Sequence, residues 1–192
     1  MSHEVPSYDE VHALLAKFAK ANREHWLRDD LFSFNWWLML VVTVLFYVIW
    51  LRIINKSRLT EILLFGAFVT IMSTIIDVVG VNLLWWGYPN NLLPIVPAFL
   101  VLDLSQVPIT FAVVYQRYGY NSKYFFIAMA ILSAVYSFGV EPLLSWLGIY
   151  RLHQWHYYYS FPLYILVAFL ARFAVRYIRR TEQRAARRKE IH

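Results

Sequence analysis

The chain contains no cysteine, which excludes a disulfide framework and any thiolate metal site and leaves the redox compartment open. Charge is scarce as well. Only 16% of the 192 residues are Asp, Glu, Lys or Arg, against 60% hydrophobic, a balance outside that of a water-soluble domain of this length. The first 31 residues are polar and charged and hold no short apolar core followed by small residues, so no removable signal peptide is expected.

What is present is apolar sequence in long blocks. They fall at residues 34–54, 62–86, 92–115, 124–147 and 158–178. Each is long enough to cross a hydrocarbon layer about 30 Å thick as a helix. Helices satisfy their own backbone groups in lipid, and these blocks are too long and continuous for barrel strands. The 8 Trp and 14 Tyr sit mainly at block ends, as an interfacial aromatic belt requires. Residues 7–30 place Val11, Leu14, Leu15, Phe18 and Trp26 near helical spacing among acids and bases, the pattern of an amphipathic helix lying on a membrane surface. The expected architecture is all-α: an amphipathic surface segment (1–31), a five-helix transmembrane bundle (32–179) and a basic tail (180–192).

Lys and Arg set the orientation. With the N-terminus outside, twelve face the cytoplasm, among them Arg52, Lys56, Arg58, Arg117, Lys123 and seven from Arg176 to Lys189, against five outside. The positive-inside rule therefore favours N-terminus out and C-terminus in. The turn at 86–91 (WGYPNN), without Lys or Arg, suits the outer side. Directly after a span, the basic tail is read as topogenic charge against anionic headgroups, with the lipid bilayer as partner and no nucleic acid.

Four charged residues fall in the blocks more than one turn from either end: Asp77, Asp103, Glu141 and Arg172. Each costs roughly 2.5 to 3.5 kcal/mol near a helix centre, so such residues usually face the bundle interior. Polar neighbours recur at helical spacing with the acids. Thr70, Ser73, Thr74 and Asp77 form one stripe, Asp103, Gln106 and Thr110 a second, and Ser133, Ser137, Glu141 and Ser145 a third. Three wet faces predict a polar seam or narrow cavity between the second, third and fourth spans. Pro94, Pro97 and Pro108 in the third block, and Pro142 beside Glu141, each free a carbonyl four residues earlier, and such carbonyls can line a cavity. Three roles stay open for the acids: exchangeable proton or ion sites, with Gln106 as a further ligand; a structural ion pair of Asp103 with Arg172; or polar glue between helices.

His153 and His156, three apart in the 150–159 loop, form a weak metal candidate without the third or fourth ligand that zinc needs. A faint repeat runs from Asp77 through Trp86, Gly87, Tyr88 to Pro94, and again from Glu141 through Trp146, Gly148, Tyr150 to Pro162.

Asp77, Gly87-Tyr88-Pro89, Leu92-Leu93-Pro94, Asp103, Pro108, a turn with Gln116, Tyr118 and Tyr120, then Glu141-Pro142, Trp155 and Ser160-Phe161 together resemble an uncharacterised family of small membrane proteins found mainly in spore-forming Gram-positive bacteria. The resemblance covers about half of the chain. It implies a plasma-membrane location and no particular activity. Trp86, Tyr88 and Pro94-Ile95 are also similar in order to the lycopene cyclase domain, but the adjacent acidic pair of that domain is missing, since residues 96 and 97 are Val and Pro. A retinal protein is disfavoured because no lysine lies mid-span to form the Schiff base. The expected function is ion- or proton-linked membrane transport through Asp77, Asp103 and Glu141, requiring no cofactor. The alternatives are an integral-membrane enzyme acting on an isoprenoid or other lipid, and a structural or accessory subunit. Five spans enclose little volume, so a transporter would be a homo-oligomer.

Overall fold

The structure, a computed structural model, describes residues 5–94 and 101–189. The first helix, α1 (Tyr8–His25), starts at a capping box: the Ser7 hydroxyl accepts from the Glu10 N–H at 3.3 Å and the Glu10 carboxylate accepts from the Ser7 N–H at 2.7 Å. None of its residues is buried. It runs into a π turn at Trp26–Asp30, and the chain reverses through Phe32, whose φ is +62°.

Ser33 then caps α2 (Phe34–Ile53), accepting from the Trp36 N–H at 3.2 Å. A 3₁₀ turn at Lys56–Arg58 leads into α3 (Leu59–Asn82), and Leu84, with φ +56°, swings the chain into the short strand β1 (Trp86–Gly87). A π turn at Leu102–Gln106 continues as α4 (Val107–Tyr118). Asn121 accepts from the N–H groups of Lys123 and Tyr124 and starts α5 (Ser122–Val135). A further π turn, Tyr136–Val140, joins α5 to α6 (Glu141–Trp146). Strand β2 (Arg151–Leu152) pairs antiparallel with β1, and α7 (Tyr157–Lys189) closes the chain.

The described residues are almost wholly helical, and four of their helices are long and apolar enough to cross a membrane: Phe34–Ile53, Lys56–Asn82, Ser122–Trp146 and Tyr157–Arg187. Their apolar core joins α3, α4, α5 and α7 around Phe65, Val69, Phe111, Tyr115, Phe125 and Met129. Ala168 and Ala171 are fully buried on α7, and side chains this small let helices approach closely where no hydrophobic force drives them together. By contrast α2 buries only Met39. One end of the bundle is rich in tryptophan (26–36, 83–94 and 147–156), the other in arginine and lysine (52–58, 117–123 and beyond 176).

Several boundaries differ from expectation. Pro94 lies in a non-helical bend before the third block turns helical, and Pro97 lies outside the described residues. From residue 180 to Lys189 the basic segment is helical and continues α7. Thr181 to Lys189 holds no Gly or Pro to stop the helix and is rich in Ala and Arg, which favour it.

Candidate functional site

A cavity of about 80 Å³ lies in the tryptophan-rich half of the bundle, and Asp77, Asp103 and Glu141 all line it. The helical stripes bring them there from three elements: α3, the π turn before α4, and the start of α6. Its remaining wall includes Trp86, Tyr88, Tyr150, Trp155, Ser160 and Tyr164, and no Lys, Arg or His among the described residues.

The loop after α3 folds back onto Asp77. The Trp86 indole N–H donates to Asp77 Oδ1 at 2.8 Å and the Tyr88 hydroxyl donates to the same oxygen at 2.5 Å. Burial, reinforced by the charges of Asp77 and Asp103, pushes the Tyr88 hydroxyl well above its ordinary value, so it remains a donor. Gly80 makes the approach possible: a Cβ there would come within 2.0 Å of the Trp86 ring. The other loop does the same for Glu141 through one intermediary. Trp155 Nε1 donates to the Ser160 hydroxyl at 3.0 Å, and that hydroxyl donates to Glu141 Oε2 at 3.0 Å. The two loops meet in the β1–β2 pair and in the rings of Tyr88 and Tyr150, 5.6 Å apart.

Asp103 differs from these two acids. Its Oδ2 is buried and has no hydrogen-bond partner among the described residues. One to two turns deeper, the Gln106 Oε1 and the hydroxyls of Thr74, Ser133 and Ser137 are buried and likewise without partners among the described residues, although none of the four lines the cavity. Asp103 lies within a π turn and Glu141 directly follows one, a local irregularity often found at functional sites. Three carboxylates around one small space with no base on its wall repel one another when ionised. Such a space favours a proton on one of them, or a cation held by fewer than three of them.

Arg172 does not pair with Asp103. It sits at the opposite, basic end, where Nε donates to the Gly119 carbonyl at 2.8 Å and Nη2 to the Ser122 hydroxyl at 3.0 Å. Its guanidinium lies over the Phe125 ring, 4.7 Å from the centroid. The reason is distance along α7: Ser160 holds the level of Glu141, and Arg172 is three turns further on. His153 and His156 lie in and just beyond the β2 loop, His156 stacked on Tyr158 at 5.1 Å. Among the described residues no three His, Cys, Asp or Glu gather closely enough to hold a metal ion.

A further buried acid, Glu61, was not anticipated because it stands just ahead of the expected start of its span. It accepts from Arg58 (3.0 and 3.2 Å), from the hydroxyls of Tyr115 (2.7 Å) and Tyr120 (2.8 Å), and from Arg179 on α7. The only sequence signal was the Arg58–Glu61 spacing of three. Between this cluster and the cavity lies the apolar core, with Phe65 and Tyr115 stacked at 4.2 Å.

At the tryptophan-rich end the N-terminal segment docks on the loop after α3. The Trp26 indole donates to the Asn91 carbonyl at 3.1 Å, the Trp36 indole to the Leu92 carbonyl at 3.0 Å, and the Asn91 N–H to the buried Asp30 at 3.1 Å. No family model, no curated protein and no solved structure matches this chain, so the resemblances drawn from its residues rest on those residues alone.

Proposed function

We propose that this is a five-pass membrane protein whose intramembrane carboxylates bind and release a proton or monovalent cation, the binding step of ion- or proton-linked transport. The observation that carries the reading is the buried Asp103 Oδ2, without a hydrogen-bond partner among the described residues, in a wall that also holds Asp77 and Glu141 and, among those residues, no base. An acceptor left without a donor in a low-dielectric interior is costly, and a bound proton or cation relieves that cost.

The third crossing in this reading is the apolar block 92–115, described as helical from residue 101. The bundle is oriented with its tryptophan-rich end outside and its basic end in the cytoplasm by the distribution of Lys and Arg, and the plasma membrane is what the resemblance to small membrane proteins of Gram-positive bacteria implies. The N-terminal helix lies on the outer surface. The cavity would then be filled from outside, with the Phe65–Tyr115 stack closing the inner side. A homo-oligomer would supply the surface that so small a bundle lacks.

Cavity size weighs against lipid chemistry. About 80 Å³ suits a few waters or one small cation. Organic ligands occupy pockets of roughly 300–1,000 Å³.

The test is thermal unfolding in detergent across pH, with and without Na⁺ or K⁺, for the wild type and for Asp77→Asn, Asp103→Asn and Glu141→Gln. The expected result is a pH- or cation-dependent midpoint in the wild type that Asp103→Asn abolishes while the fold persists. Identical behaviour of all four proteins at every pH would reduce the acids to polar glue and end the transport reading. Because the chain has no cysteine, single cysteines at Ser57 and Asn90 report orientation by labelling from either side.

A further inference from the structure

We infer that the face of α7 carrying Arg172, Arg176 and Arg180 beside Phe169, Phe173 and Tyr177 is a binding site for the phosphate-bearing headgroup of an anionic phospholipid. These six residues line a cleft of about 230 Å³ at the basic end of the bundle. They stand at spacings of three and four, so the arginines and the aromatics form two adjacent stripes on one side of the helix.

The argument begins with a charge that lacks its opposite. Arg172 is only 5% exposed, and its hydrogen bonds go to a carbonyl and a hydroxyl, both neutral. Guanidinium offers five N–H donors and stays charged. Its charged neighbour is Arg176, another cation, whose own bond goes to the Tyr120 carbonyl at 3.2 Å. Among the described residues no carboxylate lies within ion-pair distance of Arg172, Arg176 or Arg180. Elsewhere at the same end the fold does supply one: Glu61 takes both Arg58 and Arg179. A buried charge is ordinarily paired. The missing partner of this cleft is therefore an anion from outside the chain.

The surroundings say which anion. Phe173 and Tyr177 are 72% and 65% exposed, next to the arginines and pointing away from the core. On a helix that is apolar for its first five turns and basic thereafter, that level is the hydrocarbon–headgroup boundary. A lipid phosphate sits there with its acyl chains descending along exposed aromatic rings. Basic pockets at this depth are suited to such headgroups, and planar guanidinium grips phosphate with two N–H groups at once. A soluble anion would leave the rings uncovered.

The test uses the full-length chain in mild detergent, titrated separately with phosphatidylglycerol, phosphatidylcholine and sodium phosphate. It is read by the unfolding midpoint and by lipid retained in native mass spectrometry. Phosphatidylglycerol is expected to raise the midpoint and remain bound. The double variant R176Q/R180Q should bind it about tenfold more weakly, as loss of charge-assisted bonds implies. The double variant R184Q/R187Q removes equal charge further along α7 and should leave binding unchanged, and Arg172 is kept because it also holds the 119–122 turn. Equal weakening by the two double variants would mean diffuse attraction and overturn the site. So would an equal effect of phosphatidylcholine. Sodium phosphate reproducing the full shift would reassign the cleft to a soluble anion.

Discussion

The Tyr47 hydroxyl donates to the main-chain carbonyl of Leu104 at 2.6 Å. Leu104 is four residues before Pro108, so proline has no N–H to offer that carbonyl. A side chain of α2, the least embedded of the long helices, thus completes the backbone of the segment that carries Asp103. Tyr47→Phe removes the donor alone. It should cost about 1 kcal/mol of stability, read as a lowered unfolding midpoint in detergent. A midpoint equal to the wild type's would mean that the carbonyl is satisfied otherwise.

Gly80→Ala tests how the cavity wall is built. In an ordinary helix interior this change stabilises by about 1 kcal/mol. Here the new methyl would overlap the Trp86 indole, whose N–H is bonded to Asp77. The sign should therefore reverse to a loss of about 1–3 kcal/mol from overpacking, accompanied by changed tryptophan fluorescence. A more stable variant would show that Trp86 does not pack against α3.

Glu61→Gln leaves Arg58 and Arg179 without their shared carboxylate. Breaking a buried pair costs roughly 3–5 kcal/mol, and the partly solvated arginines place this one near 3. Hydrogen exchange should rise first at residues 56–61 and along the last turns of α7. Unchanged exchange there would mean that the cluster does not tie α7 to α3.

Asp30 makes the docking of the N-terminal segment pH-dependent. Burial raises its carboxyl above the ordinary 3.8, against the opposing pull of the Asn91 N–H and of His25, whose Nε2 lies 3.7 Å away. The folded chain therefore holds the proton more tightly than the unfolded one. The stabilisation is complete below the ordinary value and is lost as pH rises through the higher, folded one. Limited proteolysis of residues 8–30 should accordingly be slower in mild acid than at neutral pH. Asp30→Asn should flatten that profile around the aspartate range, and a profile that keeps its slope would show that Asp30 does not set it.

The gathering of Asp77, Asp103 and Glu141 was legible because each acid carries its own polar stripe, and a stripe on a helix has one direction. Pairings across long sequence separations were not. Nothing in the order of residues connects Glu61 with Arg179, 118 positions on. The pairing of Arg172 with Asp103, one of three readings open to the sequence, rested on sign alone, since depth in the bundle emerges only once the helices are aligned. Trp86 and Tyr88 read as interfacial anchors, because aromatic residues at a helix end look the same whether they face lipid or fold back onto a buried acid. The return depends on Leu84 in the left-handed region and on the space above Gly80, neither of which has a period to detect.

The π turns at Leu102–Gln106 and Tyr136–Val140 have a consequence for how such a chain can change by insertion or deletion. A π turn holds one residue more than the α-helical ladder needs. The surplus residue is absorbed within the turn, so the helix on either side keeps its phase, and deleting it would restore regular helix without rotating the flanks. Asp103 lies inside its turn and would be re-aimed, whereas Glu141 lies just past its own and would keep its direction. A one-codon deletion in the first turn would thus disturb the cavity wall, and one in the second would spare it, in a protein that still inserts and folds as a bundle.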